Sequence, residues 1–190
     1  QRDDAAEVVP LLLGPIDSEV HRTLSQAQPT VRYTEAEIET SLGGAHQKIN
    51  AQIALSAVRQ FTAQPGLLPD MRHYAVPCRT ERIQTRAPNA PAIYADVAHH
   101  PSALRALHPW LESLPKPLAL VFGVSHDRAA PEMLEALPER AHLIYSEAPY
   151  KATPAKALSQ LRAGSATPRL RDALRDAQAV ATPVGTVVVL

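Results

Sequence analysis

The chain has 190 residues, 45% of them hydrophobic, and its 19 basic and 19 acidic side chains cancel. This length allows one domain, or one domain with a fragment of another, and the neutral charge without a Lys/Arg block argues against nucleic acid or a membrane surface as partner. The single cysteine, Cys78, favours a reducing, cytoplasmic setting. The longest apolar run, residues 184–190, is strand-sized, so no membrane span is predicted. Because the chain lacks an initiating Met and ends on an apolar strand, we expect it to be a piece of a longer protein.

The sequence of the N-terminal third predicts one strand followed by helices. Residues 8–13 form an apolar run that predicts a buried strand ending in a turn at Gly14, and Asp17-Ser18 could cap a short helix through Gln26. Residues 45–63 predict a longer amphipathic helix. Its predicted apolar face consists of Ala54, Val58 and Phe61. Two prolines and a glycine within residues 64–70 end this helix and indicate a domain junction.

Strand-length apolar runs alternate with helical patterns in the remaining two thirds. The predicted strands are residues 93–97, 118–124, 142–146 and 186–190. The predicted helices are residues 101–114 and 131–137, and two more that Thr153-Pro154 and Thr167-Pro168 open with a threonine N-cap and a first-turn proline. This alternation predicts an α/β fold, a Rossmann-like and mostly parallel sheet with helices on both faces.

Two predicted loops follow strands at their carboxyl ends, where ligands bind in open α/β sheets. The first carries Asp96 and His99, and the second carries Asp127 and Arg128. Asp96 could instead only cap the helix that follows, and Asp127-Arg128 could be a surface pair. Adjacent histidines point in different directions, so no metal site is predicted, and no catalytic triad is evident. The chain also has no G-x-x-x-x-G-K-[ST] phosphate loop, so any nucleotide must be held mostly from outside it.

Four segments resemble, in order, the motifs of the folylpolyglutamate synthase/dihydrofolate synthase family of the Mur ligase superfamily. Residues 44–51 (GAHQKINA) resemble G-x-H-Q-x-x-N-A, and residues 77–81 (PCRTE) resemble P-G-R-[FL]-E. Residues 96–101 (DVAHHP) resemble D-G-A-H-N-P, and residues 121–128 (VFGVSHDR) resemble V-F-G-x-x-x-D-K. The resemblance spans nearly the whole chain.

The resemblance implies that residues 1–66 are the tail of a central ATPase domain and that residues 67–190 are the C-terminal, glutamate ligase domain. It implies a cytoplasmic ligase that uses ATP and Mg²⁺ to add glutamate to folate through an acyl phosphate, and that could also join glutamate to dihydropteroate. Arg79, Asp96 and His99 would contact ATP across the domain cleft, with Asp127 and Arg128 as further candidates. The implied partners are folate, L-glutamate and the missing N-terminal ATPase domain. We expect a monomer, and we expect this chain alone to be inactive.

Five residues depart from the family motifs. Cys78 and Val97 replace Gly, His100 replaces Asn, Arg128 replaces Lys, and Ala129 stands where a second Asp is common. A β-branched Val97 does not easily adopt a positive φ, and Arg128 keeps the charge of Lys but not its geometry. The departures leave open a diverged or inactive site. Two alternatives remain: a Mur ligase of peptidoglycan synthesis, which the His46-Gln47 pair disfavours by analogy, and a non-catalytic α/β binding domain.

Overall fold

The computed structural model describes residues 11–13, 22, 30–32, 39–61, 71–73, 75–83 and 89–190. The chain divides into two compact units, one formed by residues 1–41 with 45–74 and the other by residues 42–44 with 75–190. The predicted turn at Gly14, the Asp17-Ser18 cap and the junction at residues 64–70 lie outside the described residues. The domain boundary after residue 66 therefore stays a prediction.

The first unit contains a pair of parallel strands, a helix and a single 3₁₀ turn among its described residues. Strands β1 (Leu11–Leu13) and β2 (Thr30–Arg32) pair in parallel, helix α1 spans Ala45–Phe61, and the 3₁₀ turn spans Met71–His73. Helix α1 confirms the predicted helix to within two residues, but its predicted apolar face was wrong.

The buried side of α1 carries Gln47, Ala51 and Leu55, whereas Ala54 and Val58 are exposed. An alanine-rich helix offers several stripes of similar hydrophobicity, so periodicity alone does not select the buried one.

The second unit is built on a six-stranded sheet. Its strands are β3 (Glu81–Ile83), β4 (Ala92–Ala95), β5 (Leu118–Phe122), β6 (His142–Tyr145), β7 (Ser165–Ala166) and β8 (Thr186–Val189), in the order β3-β4-β8-β5-β6-β7. Every neighbouring pair is parallel except β3 with β4. The mostly parallel α/β fold is thereby confirmed. The edge strands β3 and β7 were not predicted, because they are short and mostly polar and therefore lack an apolar period.

Helices cover both faces of this sheet, as predicted. They are α2 (Pro101–Ser113), α3 (Ala130–Glu135), α4 (Ala155–Leu161) and α5 (Leu170–Ala181). All five residues of β5 are buried, and successive side chains of a strand point to opposite faces. Leu118, Leu120 and Phe122 pack in the cluster with α2, α3 and α4, whereas Ala119 and Val121 pack with α5.

Helix α2 shows how the sequence forms this core. Leu104, Leu107 and Leu111 recur at helical spacing and are at most 1% exposed. Burying each leucine contributes roughly 1.5–3 kcal/mol, so this stripe attaches the helix to the sheet. No helix in the described part of the chain is both long and apolar enough to cross a membrane.

The two predicted threonine caps were wrong. Pro154 precedes α4 and Arg169 precedes α5 at the cap positions, and neither side chain caps its helix. Thr153 donates its backbone N–H to the carbonyl of Val124, at 2.8 Å, while the Thr167 hydroxyl lies 2.8 Å from an Asp176 carboxylate oxygen. Both threonines thus make tertiary hydrogen bonds, whereas the local sequence pattern predicted that they cap helices.

Candidate functional site

Loops gather at the carboxyl ends of the parallel strands, which is where open α/β sheets bind ligands. Residues 96–100 follow β4, residues 123–129 follow β5 and residues 146–154 follow β6. Backbone hydrogen bonds join this edge, since Asp96 donates its N–H to Val189 at 2.9 Å and Gly123 donates to Leu190 at 3.2 Å. The loops predicted to carry chemistry therefore lie where the fold places a site.

Residues 76–80 form a tight turn that carries Arg79. Its backbone N–H donates to the carbonyl of Val76, at 3.1 Å. The neighbours on either side, Cys78 and Thr80, have φ of 55° and 48°, in the left-handed region that favours glycine. Such conformations cost on the order of 1–3 kcal/mol each and persist only where the surroundings hold them. Arg79 thus sits on a strained turn that other residues must stabilise.

Two carboxylates hold this turn by accepting backbone N–H groups. An oxygen of Asp96 accepts the backbone N–H of Thr80 at 2.8 Å, and an oxygen of Glu81 accepts that of Cys78 at 2.8 Å. Val97 also donates its N–H to the carbonyl of Cys78, at 2.9 Å. Hydrogen bonds to a charged group contribute about 1.5–3 kcal/mol each, enough to offset the strain.

Thr80 extends the contacts of the turn to residues 42–44, which belong to the same unit. Its hydroxyl oxygen accepts the N–H of Gly43 at 2.8 Å and donates to the carbonyl of Arg79 at 2.7 Å. A Cβ on Gly43 would lie 3.0 Å from this hydroxyl and 2.9 Å from the indole nitrogen of Trp110. A side chain at residue 43 would therefore force Trp110 or Thr80 to shift.

Asp96 does not cap α2, so the alternative in which it only caps that helix is wrong. Its side chain is 7% exposed, and its second oxygen accepts the N–H of Ala98 at 2.8 Å. The cap is His100, whose Nδ1 accepts the N–H of Ala103 at 3.2 Å. Asp96 instead joins the turn before β3 to the loop after β4. His100, which replaces the Asn of the family motif, caps the helix, a role for which Asn is also suited.

The departures from glycine at Val97 and Cys78 have different consequences. The concern over Val97 was wrong, because Val97 does not have a positive φ and its side chain is 42% exposed. The left-handed residue is Cys78, where a side chain is strained. The loss of glycine is therefore tolerated at Val97, whereas at Cys78 the left-handed backbone must be stabilised by other residues.

His99 is exposed, and its Nδ1 donates to the carbonyl of Val97 at 2.8 Å. The carbonyl can only accept, so Nδ1 carries the proton, and a neutral ring then presents Nε2 as an acceptor. Donation from Nε2 to a phosphate requires the protonated ring. The ring also stands edge to face with His100, their centroids 5.1 Å apart.

The second predicted pair, Asp127 and Arg128, is exposed. The hydroxyl of Ser125 donates to Asp127 at 2.6 Å, and this hydrogen bond lowers the pKa of the Asp127 carboxyl. His126 donates its backbone N–H to the carbonyl of Lys151, at 2.8 Å, which ties this loop to the one after β6. Over the described residues, no hydrogen bond joins this pair to Arg79, Asp96 or His99.

The structure thus brings the Arg79 turn and the Asp96–His99 loop together by direct hydrogen bonds. The binding roles of Arg79, Asp96, His99, Asp127 and Arg128 stay predictions. The described ranges contain no group of three His, Cys, Asp or Glu residues that could hold a metal ion. Sequence reasoning missed Glu81, although it lies in the motif at residues 77–81. Its acceptor role depends on the turn conformation, which the sequence does not display.

Residues 78–190 match the family model of the Mur ligase, glutamate ligase domain. The probable bifunctional folylpolyglutamate synthase/dihydropteroate synthase of Haloferax volcanii is 30% identical, in an alignment covering 77% of this chain and 19% of that protein.

Two solved structures share the fold. One is Mycobacterium tuberculosis folylpolyglutamate synthase complexed with ADP and AMPPCP, with TM-score 0.79, 20% identity, and coverage of 94% of this chain and 51% of that one. The other is a bifunctional folylpolyglutamate synthase/dihydrofolate synthase with Mn, AMPPNP and L-glutamate bound, with TM-score 0.73, 17% identity, and coverage of 95% of this chain and 49% of that one. The chain spans about half the length of these solved relatives.

Proposed function

Because the chain belongs to the Mur ligase family through its glutamate ligase domain, we propose that it is the C-terminal part of an ATP-dependent ligase that adds glutamate to folate. The observation that carries the proposal is the Arg79 turn, held by Asp96 at the carboxyl edge of a family-matched domain. The names of the relatives support the substrate, since they are folylpolyglutamate synthases, some of them with bound nucleotide or glutamate.

In the proposed reaction, the terminal carboxylate of a folate accepts the γ-phosphoryl group of ATP and becomes an acyl phosphate. The amine of L-glutamate then attacks the acyl carbon, phosphate leaves, and an amide forms. A second use of the same chemistry would join glutamate to dihydropteroate. Cationic groups that are in place before the reaction stabilise the charge on the transferring phosphoryl group.

The residues of this chain fit the phosphate part of a nucleotide. Across the described residues the Arg79 guanidinium makes no hydrogen bond or ion pair, so its planar fork is available for two phosphate oxygens. His99 is exposed beside the same loop. Asp96 holds the Arg79 turn and would act on the nucleotide through it. Asp127 and Arg128 are further candidates at the same edge.

The described part of the chain provides no separate site for Mg²⁺. The described residues offer no three-ligand group, and Mg²⁺ is usually held by one or two carboxylates together with substrate phosphates. We therefore assign the ion to the phosphates and to an N-terminal ATPase domain of the same protein. The whole protein would be a cytoplasmic monomer with folate and L-glutamate as substrates.

The test compares the full-length protein with this chain alone. With ATP, Mg²⁺, a reduced folate and L-glutamate, the full-length protein should release ADP only when both substrates are present, and mass spectrometry should detect glutamylated folate. This chain alone should not hydrolyse ATP, because it lacks a phosphate loop. Steady turnover by the chain alone, above a heat-inactivated control, would contradict the proposal.

The alternatives are outcomes of the same assay. A Mur ligase of peptidoglycan synthesis would release ADP with a nucleotide-linked muramoyl substrate and an amino acid, and not with folate. A non-catalytic binding domain would release ADP with neither set of substrates. The left-handed φ of Cys78, where the family motif has glycine, is the observation that favours the non-catalytic alternative.

A further inference from the structure

We propose that Glu81 is a positioning residue for Arg79, and that it acts through the backbone of Cys78. The proposal rests on the function proposed above, in which the Arg79 guanidinium binds nucleotide phosphate. Glu81 itself would touch neither nucleotide nor substrate. Its part is to hold the strained residue before Arg79 in the conformation that presents the guanidinium at the carboxyl edge of the sheet.

The first observation is the contact itself. The Glu81 carboxylate accepts the backbone N–H of Cys78 at 2.8 Å, and Cys78 has a φ of 55°. A residue with a side chain leaves this region readily when unsupported, whereas glycine occupies it freely. A change of φ at Cys78 rotates everything that follows, and Arg79 is the next residue. The Glu81 contact therefore controls the direction in which the Arg79 side chain leaves the turn.

The second observation is that the turn is held symmetrically about Arg79. Glu81 accepts the N–H of the residue before it, and Asp96 accepts that of the residue after it. The N–H of Arg79 donates to Val76, and its carbonyl accepts the Thr80 hydroxyl. The backbone of the turn is thus fixed throughout, while the guanidinium makes no hydrogen bond or ion pair within the described ranges. This arrangement fits a side chain presented to a ligand.

Two simpler roles for Glu81 fit less well. An ion pair with Arg79 or Arg82 would explain a glutamate here, but the ion pairs of the described chain do not include Glu81. A role in the core would need a buried strand, but β3 is an edge strand whose Arg82 and Ile83 are exposed. The contact with Cys78 is the interaction that the structure provides for this carboxylate.

The test uses the full-length enzyme and measures kcat and KM for ATP. Glu81→Ala should lower kcat/KM for ATP roughly 10- to 100-fold, because it removes a charge-assisted hydrogen bond that orients a phosphate ligand. Glu81→Gln keeps an oxygen acceptor and should stay within a few-fold of the wild type. Glu139→Ala removes an exposed glutamate elsewhere on the same unit and serves as the matched control.

Two further variants separate positioning from general stability. Cys78→Gly removes the strain, so Cys78→Gly/Glu81→Ala should recover most of the kcat/KM that Glu81→Ala loses. In an Arg79→Ala background, Glu81→Ala should cause little further loss, because both changes then affect one interaction. Additive losses, or failure of the glycine to rescue, would overturn the positioning role. Should Glu81→Ala fail to fold by circular dichroism, Glu81→Asp, which is one methylene too short, replaces it in every arm.

The outcomes for the two proposals are distinct. A wild-type enzyme that is inactive with folate and glutamate overturns the proposed function and this inference with it. An active wild type whose Glu81→Ala variant keeps its kcat/KM for ATP overturns only the inference. Hydrogen exchange at the Cys78 amide gives a readout independent of activity, and Glu81→Ala should accelerate it.

Discussion

Replacing Asp96 by alanine removes a carboxylate that accepts hydrogen bonds from two backbone N–H groups. Asp96 is buried and accepts the N–H groups of Thr80 and Ala98, each at 2.8 Å. In Asp96→Ala both N–H groups lose their acceptor, and Thr80 keeps its left-handed φ without that support. A residue that only touched the nucleotide would leave the melting temperature nearly unchanged when replaced by alanine. The structure instead predicts that stability and activity fall together, because the same carboxylate holds the Arg79 turn.

The magnitude follows from those two contacts. Hydrogen bonds to a charged acceptor contribute about 1.5–3 kcal/mol each, so the free energy of unfolding should fall by roughly 3–6 kcal/mol. That is a large part of the 5–15 kcal/mol or so that stabilises an ordinary domain. For a domain of this size the melting temperature should fall by roughly 10–20 °C. Ligase activity of the full-length enzyme should fall about 10²-fold or more.

The assay measures urea unfolding and ATP-dependent ligation on the same full-length variants. Asp96→Asn keeps one acceptor oxygen but turns an NH₂ group toward the other N–H, so it should lose about half of the unfolding free energy lost by Asp96→Ala. Asp176→Ala is the matched control, because Asp176 is exposed and accepts one hydroxyl; its cost should stay below about 1 kcal/mol. An Asp96→Ala variant with unchanged unfolding free energy would refute the hydrogen-bond reasoning. Full activity in a destabilised variant would show that Asp96 serves stability alone.

Three further predictions follow from contacts elsewhere in the second unit. Arg162→Met removes a guanidinium that donates to the carbonyl of Leu134, in the last turn of α3, and to those of Leu137 and Pro138 after it. The change should lower the free energy of unfolding in urea by roughly 2–4 kcal/mol, and Arg162→Lys should recover less than half of that loss. Tyr145→Phe removes a hydrogen bond to Arg162 and should cost about 1 kcal/mol at neutral pH. Burial raises the pKa of the Tyr145 hydroxyl above its ordinary value of 10.0, so the folded state loses stability as the pH rises beyond that value. The Tyr145→Phe variant should lose less stability over this pH range than the wild type. Equal losses in the two proteins would contradict the raised pKa. Ser125→Ala should raise the pKa of Asp127 toward its ordinary value in a carbon NMR titration, and an unmoved pKa would discount the hydroxyl.

The parallel α/β fold could be predicted because its determinants are local and strong. Strand β5 is a continuous apolar run, typical of a strand covered on both faces, and the leucines of α2 recur at helical spacing. The helix at Pro101–Ser113 was predicted to within one residue. The order of the four motifs likewise indicated a family that the comparisons confirm over residues 78–190. Such hydrophobic patterns can be recognised in a sequence because the side chains that a helix or strand buries recur with the period of that element.

The details of the site depended on contacts between distant residues. Asp96 and Thr80 are sixteen positions apart in sequence, and nothing local shows that one accepts the N–H of the other. The same holds for the left-handed φ of Cys78, for the role of Glu81, and for Thr153, whose N–H pairs with another loop instead of opening a helix. A hydrogen bond needs two groups at one distance and angle, and only the folded chain brings such groups together. The sequence therefore determined the apolar strands and helices of the second unit and the family to which they belong, while the tertiary structure decided which side chains hold the Arg79 turn.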